Sequence, residues 1–161
     1  MSHPFLRQIL LETTRELFTA YGVSNEIVAA PVMDDQTVCG ILGFTGATIC
    51  GSVMIAASRE AVAATNPIEG GQVTHWLAEL TNQIVGRFKN SLVRRGADIW
   101  LSLPVVLSAT RLVPVPQGPV DPVHMRVGGA PFTLWLETEG TIALEAPDED
   151  ACPREGEAFL F

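Results

Sequence analysis

Between Phe5 and Tyr21 the apolar side chains Phe5, Leu6, Ile9, Leu10, Leu17 and Phe18 recur at the spacing that gathers one stripe on a helix. Ser2 is available as a cap, Pro4 is tolerated in a first turn and Gly22 stops the element. An apolar stretch from Glu26 to Val32 follows. Two β-rich runs come next, Thr37 to Phe44 and Thr48 to Ala57, separated by Thr45-Gly46-Ala47, which predicts a hairpin. Both runs are apolar at nearly every position yet carry Gly40, Gly43 and Gly51, a pattern that predicts close packing of a helix on one face. Cys39 and Cys50 read as small buried hydrophobes that could face each other across the pair.

A short helix is expected from Ser58 to Thr65, ended by Asn66-Pro67. After Gly70-Gly71 a long helix is expected from Gln72 to Arg95, with Gly96 beyond it and Arg94 and Arg95 suited to its C-terminal dipole. Strand signals resume from Ile99 to Leu107. Val113 to Pro122, with Pro114, Pro116, Pro119 and Pro122, is too proline-dense for a helix or a central strand and predicts an extended surface connection. Met125 to Val127, Phe132 to Glu137 and Thr141 to Leu144, broken at Gly128-Gly129 and Gly140, read as further antiparallel strands. Grouped this way, the elements point to an α+β fold, one antiparallel sheet with helices on one face.

Composition narrows the class. The 161 residues suit one domain, and 47% hydrophobic against 17% charged residues supply a core. The domain is expected over residues 1–146, and 147–161 as a flexible acidic tail. Net charge is −8, half of it in the last stretch, where Asp148, Glu149, Asp150, Glu155 and Glu157 face Arg154. That balance is repelled by phosphate, so neither nucleic acid nor a membrane surface is expected as a partner. The three cysteines show no paired spacing, and Arg7, Glu12, Arg15 and Glu16 interrupt any leader or spanning run, which together predict reduced thiols in the cytoplasm.

Candidate chemistry is confined to the long helix. Val73, Trp76, Leu77, Leu80, Ile84, Phe88 and Leu92 share the face that must pack on the sheet, and His75, Glu79, Asn82, Gly86, Lys89 and Val93 line the opposite strip. Polar outer faces are ordinarily solvated surface. Asn82 and Gly86, however, are residues that helix stability does not favour, and a flat patch of this kind suits a partner pressing close. His75 and Glu79 at i, i+4 could be two metal ligands, but His3 and His124 stand in unrelated contexts, and no metal is expected. Without a GxSxG or a cysteine beside a histidine and an acid, nucleophilic catalysis is not expected either.

At these residues the sequence resembles the CheC/CheX/FliY family of chemotaxis phosphatases. The family signature is an Asp or Ser, three spacers, Glu, two spacers, Asn, about twenty-two spacers and Pro. Glu79-Leu80-Thr81-Asn82 matches its core, Pro104 follows after twenty-one spacers, and the first position is His75. The hairpin from Gly40 to Ala57, the run from Glu79 to Asn90 and the region from Phe132 to Ala146 look like a CheX-type domain. On the first helix Glu12 and Glu16 are followed three residues later by Arg15 and Thr19, so the resemblance implies one active centre per chain.

The resemblance also implies two long helices against the antiparallel sheet, and leaves a homodimer open. The implied reaction is hydrolysis of the aspartyl phosphate of a CheY-like response regulator, with Asn82 orienting the attacking water and Glu79 pairing with the receiver's active-site lysine. His75, Gly86 and Lys89 would complete the docking surface. No cofactor of its own is implied, since the receiver supplies Mg2+. Two alternatives stand beside it: a non-catalytic, receiver-binding module similar to the flagellar switch protein FliM, and a small-ligand sensor with a pocket between helices and sheet.

Overall fold

The first apolar stripe forms α1 (Pro4–Ala20), which buries Leu6, Ile9, Leu10, Leu17 and Phe18 as the spacing requires. The N-cap is His3 in extended backbone. Ser2 lies outside the residues described by the computed structural model, which are 3–30, 37–110, 112, 115–118 and 120–146. Residues 31–36, Pro114, Pro119 and the acidic tail from 147 onward also fall outside them. The remaining elements are β1 (Asn25–Ile27), β2 (Thr37–Gly46), β3 (Ile49–Ser58), α2 (Arg59–Thr65), α3 (Val73–Val93), β4 (Ile99–Leu101), β5 (Val105–Ser108), β6 (Val123–Val127) and β7 (Ala130–Gly140). Ser58 caps α2, its hydroxyl accepting from the Ala61 amide at 3.1 Å.

The seven strands form one antiparallel sheet in the order β1-β6-β7-β3-β2-β4, with β5 paired to β2 as well. α1 and α3 lie antiparallel on one face. At one end Arg95 sits 5.9 Å over the Phe5 ring, and at the other the Tyr21 and Trp76 rings are 6.0 Å apart. The core between helices and sheet is closed by edge-on aromatic pairs, Phe18 with Phe132 at 5.3 Å and Phe44 with Phe88 at 6.0 Å. This is the α+β architecture that the hydrophobic pattern predicts.

Several local expectations are corrected. The hairpin turn is residues 47–48, tighter than Thr45-Gly46-Ala47, and the register it fixes sets Cys39 opposite Ala56 and Cys50 opposite Thr45, so the cysteines do not face each other. Cys39 is buried, which pushes its thiol up to about 11, and Cys50 is exposed. The strand expected from Ile99 to Leu107 is split, because one extra residue between Leu101 and Val105 makes a bulge against Leu42, and Pro104 within it has no amide to donate to the ladder. β7 does not stop at Glu137, since β3 pairs with it all the way to Gly140 opposite Ile49. Residues 141–144 leave the ladder as a strap, with Ile142 and Leu144 packed on the core and the Glu145 amide bonded to the Arg95 carbonyl at 2.9 Å.

The inner face of α3 buries Leu77, Leu80, Ile84, Phe88 and Leu92, together with Thr81 and Val85, while Val73 and Trp76 are only partly covered. Close approach to β2 is made possible by Gly40, where a Cβ would collide with the Thr81 hydroxyl. That hydroxyl donates to the Leu77 carbonyl at 2.7 Å and is thereby satisfied within the helix. Among the described residues no helix is long and apolar enough to cross a membrane.

Candidate functional site

With six apolar side chains of α3 locked into the core, the opposite side of the helix is aimed at solvent with no freedom to roll. His75, Glu79 and Asn82 are exposed there, and Gly86 and Lys89 are half-buried farther along the same strip. Glu79 and Asn82, at i and i+3, are neighbours with Cβ atoms about 5–6 Å apart. Among the described residues nothing hydrogen-bonds the Asn82 amide, which leaves its donor and acceptor atoms available to an incoming group. Among the described residues a Cβ added at Gly86 would meet nothing within 4 Å, so their packing does not require glycine there. Lys89 is drawn aside toward Asp98, 3.9 Å away.

Glu79 is held by its neighbours. The Gln83 side-chain amide donates to Glu79 Oε1 at 2.7 Å, and the Gln83 carbonyl oxygen accepts from the Tyr21 hydroxyl at the end of α1. Burial raises the Tyr21 pKa, Arg87 opposes the rise, the Glu79 carboxylate adds to it and the Gln83 hydrogen bond lowers it. Tyr21 lies against Trp76, whose indole nitrogen donates to Thr65 Oγ1 at 2.9 Å. Sequence reasoning passed over Tyr21 and Gln83. A Glu followed four residues later by Gln is a recognisable helix pair, but the Tyr21 contact spans 62 residues of chain and exists only in the packed helix pair.

The five site residues of the sequence reading thus fall on one strip, with Glu79 and Asn82 at its centre. Pro104 is half-buried between β4 and β5, strands that pack against α3. The other histidines are apart from the strip: His3 faces the Gly140 carbonyl at 3.2 Å and His124 the Thr133 hydroxyl at 3.1 Å. Among the described residues no three His, Cys, Asp or Glu side chains converge on a point that could hold a metal ion. A shallow cavity of about 790 Å³, lined among others by Thr45, Cys50, Ser52, Trp100, Ser102 and Glu137, opens on the face of the sheet away from the helices, not between helices and sheet as a small-ligand sensor would require.

Residues 38–118 match the family described as chemotaxis phosphatase CheX, half of the chain, and the chain belongs to that family. Its fold is shared with the chemotaxis protein CheX of Vibrio vulnificus, at 22% identity and TM-score 0.69, over 85% of this chain and 97% of that one. CheX of Desulfovibrio desulfuricans is similar at 18% identity and TM-score 0.65, over 83% and 99% of the two chains. The complex of CheX with CheY, BeF3 and Mg2+ from Borrelia burgdorferi matches at 13% identity and TM-score 0.59, over 81% and 96%. Among curated protein sequences no significant match is found.

Proposed function

We propose that this chain hydrolyses the aspartyl phosphate of a CheY-like response regulator, using Asn82 and Glu79 on the outer face of α3. The observation that carries the reading is the pair itself: a carboxylate and a free side-chain amide, side by side and exposed on a helix that cannot roll, in a chain of the CheX family.

An aspartyl phosphate asks little of its phosphatase. The receiver's acidic site, with the Mg2+ that belongs to that partner, already bears the phosphoryl charge, and what remains is to place a water in line with the scissile bond. An amide suits this task because it can accept a hydrogen bond from the water and donate one to a phosphoryl oxygen. In this account Asn82 enters the receiver's site and orients the water. The Glu79 carboxylate forms a charge-assisted hydrogen bond with the receiver's active-site lysine, which anchors α3 and draws the lysine from the phosphoryl group. His75, Gly86 and Lys89 are the surrounding docking surface, with Gly86 letting the two backbones approach. The chain contributes no nucleophile and no cofactor.

Calorimetric titration with a beryllofluoride-activated receiver tests the anchoring role. Glu79→Ala should weaken binding by about tenfold or more and Glu79→Lys further, as expected on losing or reversing one partner of an interfacial charge pair. Unchanged affinity in both variants contradicts the assignment. His75, standing where the family signature has Asp or Ser, favours a second reading in which the chain docks receivers without turnover. Tight binding with no acceleration of phosphate release by the unmodified chain would establish that reading instead.

A further inference from the structure

Resting on that reading, we propose that Gln83 and Tyr21 are positioning residues for Glu79, so that the carboxylate offered to a receiver is held by both long helices at once. An exposed glutamate on a helix samples several rotamers and must surrender that freedom on docking, which weakens any contact it makes. Here one carboxylate oxygen is already engaged by the Gln83 amide at 2.7 Å, and Glu79 remains exposed, so the other oxygen is left for a partner.

The direction of the chain of hydrogen bonds is fixed by chemistry. A carboxylate only accepts, so Gln83 must turn its nitrogen to Glu79, and its carbonyl oxygen is then the atom that receives the Tyr21 hydroxyl. Tyr21 is itself the C-cap residue of α1, and its ring lies 6.0 Å from that of Trp76, which is tied to Thr65 at the end of α2. The orientation of one surface carboxylate is therefore set by the packing of three helices. Neither Gln83 nor Tyr21 needs to touch the receiver.

The test is steady-state phosphate release from a phosphorylated receiver by the full chain, with Gln83→Ala, Tyr21→Phe and each of these combined with Glu79→Ala. Positioning predicts that either single variant raises KM about three- to tenfold, within the range of coupling between contacting residues, while kcat stays within about twofold. It predicts further that neither substitution has any additional effect once Glu79 is alanine. A KM increase of the same size in the Glu79→Ala background would assign Tyr21 and Gln83 to helix packing alone and overturn the proposal. Wild-type KM in both single variants, with Glu79→Ala still raising it, would overturn the positioning role and leave the phosphatase reading standing. Wild-type KM in Glu79→Ala itself would overturn both.

Discussion

The two sides of α3 share one backbone and differ in what selects their residues. On the inner side Leu80, Ile84 and Phe88 are wholly buried, each large, apolar and interchangeable in kind with its neighbours. On the outer side Glu79 and Asn82 are exposed, and a Cβ added at the half-buried Gly86 would meet none of the described residues within 4 Å. Helix propensity disfavours both Asn and Gly in that setting, and among the described residues no hydrogen bond to Asn82 and no contact at Gly86 compensates. Folding explains the inner side, and the proposed docking of a receiver is what would explain the outer one.

The largest effect that sharpens this contrast belongs to the inner side. Phe88→Ala removes a fully buried ring that packs edge-on against Phe44, and should cost about 3–5 kcal/mol of stability in denaturant unfolding, with activity falling only as the folded fraction falls. Next comes Gly40→Ala, which drives a methyl group into the Thr81 hydroxyl and should cost about 1–3 kcal/mol by the same measurement.

The same substitution on the other side of the helix has the opposite sign. Gly86→Ala meets no neighbouring atom and should raise stability by about 0.5–1 kcal/mol, through helix propensity and a less flexible unfolded chain. It should nevertheless slow receiver dephosphorylation, and Gly86→Gln should nearly eliminate receiver binding at an unchanged or higher Tm. Stability rising in both variants with activity intact would break the comparison, because the outer side would then be plain solvated surface.

How much of this was legible beforehand follows from the range of the interactions involved. α1, α2 and α3 and the β2–β3 hairpin are written in local periodicity and stop signals, so the sequence reading placed them within one or two residues. The Glu79–Asn82 pair was legible for the same reason, since a helix of known phase assigns each residue a side. What escaped depends on partners distant in sequence. The cysteine register is set by a two-residue turn, and the split between β4 and β5 shows only against the ladder of β2. β7 reaches Gly140 because β3 is there to pair with it, although three glutamate and threonine positions near its end resemble a strand terminus. Thr81 and Val85 are buried because α1 and β2 both close on α3, a width of contact that a single apolar stripe does not reveal.

The central claim is that Asn82 acts on the reacting water. Release of inorganic phosphate from a phosphorylated CheY-like receiver, measured with the unmodified chain and with Asn82→Ala, tests it most directly. The account predicts acceleration by the unmodified chain and its loss in Asn82→Ala, at least about a hundredfold in kcat, with Tm and affinity for the beryllofluoride-activated receiver largely preserved. Full acceleration by Asn82→Ala would contradict it.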